Sequence, residues 1–267
     1  MNLQILGRVA PTLIATITFV SAAPARAQET AGAVDERAAD DLVVRAATTP
    51  TRFLPGAVLP EAGSARVSAL GWGGYDGATQ APLMGATAEA RLTSRIVLGA
   101  GAIYAPAAFG IPAAVRPSVV ARMQLLDQQR HGLDLGVAAA YREDRFVGEE
   151  GFIQATVAVG LHDDRNTLLG NLSYGQDGEG DDFEAELRAA ALRRFGQRLN
   201  LGVDGRVRKS LWSTDARGNP TLEYRVGPVA AYGVGPVAIT AAAGWGGVKI
   251  GQLESGFVAL GGVGAVF

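Results

Sequence analysis

"RLNLGVDGRVRKS", residues 198–210, decides how the rest of the chain is read. Leu199, Leu201, Val203 and Val207 alternate with Asn200, Asp204, Arg206 and Arg208. That is a strand rhythm of period two, with one apolar edge and one charged edge. In a soluble sandwich the apolar edge would face a core. In a barrel that crosses a membrane it would face lipid, and the charged edge would line the interior.

The same two-edged pattern recurs. Over 83–92, Thr87, Glu89 and Arg91 oppose Ala86, Ala88, Ala90 and Leu92; over 114–125, Arg116, Ser118, Arg122 and Gln124 oppose Val115, Val119, Ala121 and Met123. Over 131–142, Asp134 and Arg142 oppose Leu133, Leu135, Val137 and Tyr141. Over 183–194, Glu184, Glu186 and Arg188 oppose Phe183, Ala185, Leu187 and Ala189, and over 221–232 Glu223 and Arg225 oppose Tyr224 and Val226. An Arg or Lys facing hydrocarbon at mid-bilayer costs about 2–4 kcal/mol. If the apolar edges meet lipid, these charges must turn inward, together with Arg66.

Twelve such segments are expected, near 64–73, 83–92, 95–104, 114–125, 131–142, 151–161, 166–175, 183–194, 197–209, 221–232, 235–246 and 256–267. The links between them alternate in length. "TS", "DQQRH", "HDDR", "FG" and "GVG" are tight, whereas "GYDGATQAP", "APAAFGIPA", "EDRFVGEE", "GQDGEGDD", "KSLWSTDARGNPT" and "GVKIGQLES" are long. An up-and-down barrel with short periplasmic turns and longer outer loops has that signature. Trp72, Tyr104, Tyr141, Tyr174 and Trp245 fall at the loop-side ends of their segments, and Tyr232 and Phe267 at the turn-side ends, as two interfacial aromatic belts would require.

The first 27 residues read as a secretory signal: Arg8, the apolar "LIATITFV", and "ARA" before Gln28. Without them the chain loses Arg8 and Arg26 and no acid, which leaves 22 basic against 26 acidic side chains. That weak acidity argues against a nucleic-acid partner, which wants a basic stripe. Residues 28–63 hold a charged, Ala-rich stretch and then three prolines in "TTPTRFLPGAVLPEAG". They are expected to be a periplasmic segment or a plug of the barrel that occupies 64–267. Cysteine is absent, so neither thiol catalysis nor thiolate metal ligation is available.

The final stretch, "GFVALGGVGAVF", puts Phe257, Val263 and Phe267 on one apolar edge and ends on the aromatic. It resembles the C-terminal strand of Gram-negative outer-membrane β-barrel proteins. The resemblance implies a place in the bacterial outer membrane among its lipids. It also implies that Phe267 is the signal read by the barrel-assembly machinery. Together the pattern and the resemblance give an all-β fold, a closed antiparallel up-and-down transmembrane β-barrel of about twelve strands with a short N-terminal extension.

Barrels of this size include channels, enzymes and translocators. Lipid-acting barrel enzymes use a His with a Ser or carboxylate at the outer rim, and the two histidines here, His131 and His162, sit in short turns at the opposite end. No catalytic role is expected. "HDDR" reads as a solvated hairpin, "GQDGEGDD" as an acidic outer loop that does not match a calcium-loop spacing, and neither a metal nor a cofactor is expected. The interior is the informative part. Arg66, Arg91, Arg116, Arg122, Arg142, Arg188, Arg206, Arg208 and Arg225 would face Glu89, Asp134, Glu184, Glu186, Asp204 and Glu223, a basic excess of three. Rings of Arg favour anions. The expected function is a passive channel for small polar or anionic solutes; the alternative is a closed barrel, held shut by those charges, with a structural or surface-interaction role.

Overall fold

The computed structural model describes residues 67–105, 113–143, 151–177, 182–213 and 222–267. The expected signal (1–27), the segment 28–63, Arg66 and most of four outer links lie outside the described residues, as do the side chains of Arg142 and Trp212.

Twelve strands form one closed antiparallel ring in which each pairs with its sequence neighbours and the last closes on the first. They are β1 Val67–Asp76, β2 Ala81–Arg91, β3 Ile96–Ala105, β4 Ala114–Leu126, β5 Asp134–Glu143, β6 Gly151–His162, β7 Asn166–Asp177, β8 Asp182–Phe195, β9 Leu199–Ser213, β10 Leu222–Val234, β11 Val237–Ile250 and β12 Gln252–Val266. Closure matters physically: a sheet in hydrocarbon has no water to satisfy an open edge, so every ladder must end on another strand. Val67 and Phe267 exchange backbone hydrogen bonds at the seam, with Phe267 N–H donating to Val67 O at 2.9 Å.

The sidedness of residues 198–210 is settled. Leu201 and Val203 are 38 % and 54 % exposed, whereas Asp204, Arg206 and Arg208 are 4–5 % exposed. The outer surface carries Val115, Ile153, Leu172, Leu187, Ile239 and Phe257, all more than half exposed. Water would charge about 25 cal/mol for each Å² of such surface, and lipid charges nothing comparable. Tyr104, Tyr141, Tyr174, Trp245, Tyr232 and Phe267 stand on this outer face as expected.

Trp72 does not. It points inward and is 6 % exposed. Its register partners are Gly85 and Gly262, and a side chain at Gly85 would meet the indole at 2.7 Å, so the ring occupies space that only glycine leaves open. On the outer face the same device recurs, with Tyr141 covering Gly151 and Tyr224 covering Gly247.

Two links expected to be long are hairpin tips. β1 and β2 stay paired up to Asp76 and Ala81, where the Asp76 carboxylate accepts a hydrogen bond from the Ala78 N–H at 3.0 Å and pins the turn. β11 and β12 stay paired up to Ile250 and Gln252, with only Gly251 between them at φ +73°, a conformation that suits glycine. The short link "DQQRH" instead holds one helical turn, α1 Gln128–His131, capped by Asp127 and by Gly132 at φ +79°. That turn delays the start of β5 to Asp134.

Candidate functional site: the barrel interior

The expected interior residues with described side chains lie on the inner face of their strands. Arg116, Arg122, Asp134, Glu184, Glu186, Arg188, Asp204, Arg206, Arg208 and Glu223 are buried, and Glu89, Arg91 and Arg225 are half-buried on the same face of their strands. The alternation that hides them from lipid also sets them in rows, because antiparallel register brings like-phased residues side by side.

On β8–β10 the rows interlock. Glu186 stands beside Arg208, and Arg208 beside Glu223; Arg188 stands beside Arg206, and Arg206 beside Arg225. Two neighbouring guanidiniums would repel, so all but the Arg208–Glu223 contact run diagonally. Arg188 donates to both oxygens of Asp204, Nε to Oδ1 at 3.1 Å and Nη2 to Oδ2 at 3.2 Å. Arg206 reaches Glu186 at 3.9 Å and donates to Glu223. Arg208 bridges Glu184 at 3.1 Å and Glu223 at 3.0 Å, and Arg225 meets Asp204 at 3.9 Å. Four guanidiniums and four carboxylates thus form two chains of contacts, Arg188–Asp204–Arg225 and Glu186–Arg206–Glu223–Arg208–Glu184. Arg suits this arrangement because its planar fork engages two acceptors at once.

A second, smaller group lies on β2–β5, where Arg122 pairs with Glu89. At the short-turn end, Asp134 accepts hydrogen bonds from the Gln128 N–H at 2.9 Å and from the Gln124 amide at 3.3 Å, and its other oxygen lies 3.3 Å from His162 Nδ1. The Gln128 side chain also accepts from the His162 N–H at 2.8 Å. Through Gln128, α1 reaches past the end of β5 to the end of β6. His131 stays on α1, its Nδ1 3.1 Å from the Asp127 carbonyl. The histidines therefore remain at the short-turn end.

Three buried carboxylates escaped the sequence reading. Asp76, Asp177 and Asp182 point inward at the loop end. All three sit where a loop was expected, and Asp182 extends the Glu184–Glu186 alternation one step beyond the expected start of its strand. With Arg66 and the Arg142 side chain outside the described residues, these acids remove the expected basic excess among the described residues.

The rest of the inner wall mixes uncharged polar side chains, among them Gln154, Thr156, Asn171 and Ser173 on β6 and β7, with a broad apolar region. Leu70, Trp72, Leu192, Val229, Ala231, Ala238, Ala242, Val258, Leu260 and Val266 form one buried cluster with Leu169 and Ala190. It runs from β7 across the seam to β1, and glycines make the continuity possible. A side chain at Gly202 would sit 2.8 Å from a Leu192 methyl, and one at Gly74 would sit 2.7 Å from a Leu260 methyl. Leu192 and Leu260 therefore lie along the wall, over the neighbouring strand, instead of standing up into the lumen.

No protein-family model matches this chain, and no curated protein does. Solved structures do. The chain is similar to the KdgM porin in complex with disordered oligogalacturonate, with a TM-score of 0.57 at 8% identity over 75% of this chain and 99% of that one. It is similar to an outer-membrane channel, COG4313, from Pseudomonas putida F1, with a TM-score of 0.55 at 11% identity over 79% and 97%. It is similar also to the NanC porin, with a TM-score of 0.54 at 11% identity over 74% and 98%. Identities this low speak for architecture alone: the chain is a closed twelve-stranded antiparallel β-barrel with the fold of outer-membrane porins.

Proposed function

We propose that this chain resides in the bacterial outer membrane and passes small polar or anionic solutes passively. The observation that carries the reading is the inversion of the barrel: an apolar exterior around an interior lined by Arg116, Arg122, Arg188, Arg206, Arg208 and Arg225 with their carboxylates. A barrel that served only as an anchor would have no use for this many buried ions, each of which costs several kcal/mol to desolvate. KdgM is described with an oligogalacturonate, an acidic sugar polymer, and the same fold here offers guanidiniums to anionic groups. No catalytic step is part of this reading. Residues 1–27 would direct export, 28–63 would narrow the periplasmic opening, and Phe267, exposed beside the seam, would be read by the assembly machinery.

Planar-bilayer recording tests the channel. Steady current steps are expected, and replacing Arg122 and Arg206 by Gln should shrink them and move the reversal potential in a salt gradient toward cation preference. Silence from correctly folded barrel would overturn the channel. A specific observation favours that second reading: the β8–β10 charges are closed on one another, as in a barrel held shut. Deleting 28–63 separates a plug from a closed wall, because only a plugged barrel gains conductance.

A further inference from the structure

We propose that the short-turn rim of β8 and β9 is a docking surface for the headgroup of an anionic phospholipid, with Arg193 holding its phosphate. The proposal rests on the membrane placement and is independent of conduction.

Arg193 breaks a rule that the strands around it keep. Along β8 the outward positions are Phe183, Ala185, Leu187, Ala189 and Ala191, then Arg193 and Phe195. Arg193 is exposed, and its register neighbours on that face are Asn166 and Leu201. Among the described residues it is the one charged side chain on the outward face of a strand at the short-turn end. It lies two residues, about 7 Å along the strand, on the membrane side of Phe195. A guanidinium left in hydrocarbon is penalised. This one bends back toward the turn, its Cζ 5.8 Å from the centre of the Phe195 ring. The charge is thereby delivered to the depth of the lipid headgroups. Inside the barrel each guanidinium of the ladder meets a carboxylate. Among the described residues the contact of the Arg193 guanidinium is the aromatic ring instead.

Its surroundings are basic as well. Arg194 donates its backbone N–H to the Arg165 carbonyl at 2.6 Å, which sets these two residues side by side. Arg198 occupies the next turn, where its carbonyl accepts from the Gly233 N–H at 2.8 Å. Arg165, Arg193, Arg194 and Arg198 thus share neighbouring strand ends with the acids Asp163 and Asp164. Asp163 is already engaged by the Asn166 side chain and by two backbone N–H groups. A guanidinium fork takes two phosphate oxygens at once, and basic side chains at a bilayer surface gather anionic lipid. The ammonium of phosphatidylethanolamine would be repelled by the same arginines. Leu187 and Leu201, both exposed on the outer face, give the acyl chains an apolar surface to lie on.

Native mass spectrometry of the folded protein, offered equal amounts of phosphatidylglycerol and phosphatidylethanolamine, reads the preference. Phosphatidylglycerol should be retained about fivefold more, the enrichment that one arginine near a surface supplies. Arg193→Gln should bring the two lipids level, and Arg193→Lys should keep part of the difference. Phe195→Trp gives a local reading in vesicles: brominated phosphatidylglycerol should quench the added emission more than brominated phosphatidylethanolamine. Equal retention or equal quenching overturns the site, as does an undiminished preference in folded Arg193→Gln. Self-association that Arg193→Gln abolishes, without any lipid preference, assigns the patch to a second copy and likewise overturns it. A barrel that does not insert into vesicles removes the membrane placement and this site with it. An inserted barrel without headgroup preference removes the site alone.

Discussion

Two arcs of one inner wall solve the same problem in opposite ways. On β8–β10 large charged side chains fill the inward positions, and the arc is held by pairing: each guanidinium of the ladder contacts at least one carboxylate, and the register sets which. From β11 across the seam to β1 the inward positions, Asp76 at the loop end apart, are small or apolar, and bulky groups rest on neighbouring glycines. The first arc is specific because an unpaired buried charge is costly. The second owes its shape to sterics, since a residue with a side chain at Gly74 would collide with the backbone of β12. The barrel needs both, one to offer ions to a solute and the other to keep the wall smooth.

The largest way to break that contrast is to remove the middle of the ladder. Arg206→Met leaves Glu186 and Glu223 buried without their shared partner, and equilibrium urea unfolding in lipid vesicles should register a loss of about 3–5 kcal/mol. Adding Glu223→Leu should recover part of it; no recovery would mean that the ladder is not organised by pairing. A smaller effect tests the other arc. Gly74→Ala places a methyl on the Ala259 carbonyl oxygen and against Leu260 Cα at 2.7 Å, and should cost about 1–3 kcal/mol in the same assay. If Gly74→Ala costs nothing, close strand approach is not what shapes that arc.

The smallest effect lies outside the membrane, in the β6–β7 turn. The Asn166 side chain, together with the Arg165 and Asn166 backbone N–H groups, holds the Asp163 carboxyl below the usual carboxylate range. A depressed carboxylate contributes order to the turn above the ordinary Asp pKa and loses it as pH falls through the lowered value. An NMR titration should therefore place the Asp163 midpoint below that of an unstructured Asp, and Asn166→Ala should raise it. An unchanged midpoint would leave the side-chain hydrogen bond without a role. Neither conductance nor global stability should follow this titration, which keeps the turn apart from both arcs.

Much of this was legible before any coordinates. Residues 198–210 betray their sidedness because charge and hydrophobe alternate without interruption, and all twelve strands were found by that rhythm or by the turns around it. Where the alternation weakens, legibility goes with it. In "ALGWGGYD", residues 69–76, the outward positions are Ala69, Gly71 and Gly73 while Leu70 and Trp72 face in, so hydrophobicity points the wrong way. Asp76, Asp177 and Asp182 were hidden for a related reason: Gly- and Asp-rich segments read as loop, yet each of these acids still belongs to a paired strand.

By itself the sequence determined which edge of each charged strand meets lipid, because a single strand's alternation is a local property and the penalty for the wrong phase is large. Which carboxylate each arginine holds, why Trp72 can turn inward, and where the ladder borders the apolar wall were decided only by the closed ring. Those are properties of register and of the glycine on the next strand, and residues 16 to almost 200 positions apart in sequence become neighbours only once the strands are paired.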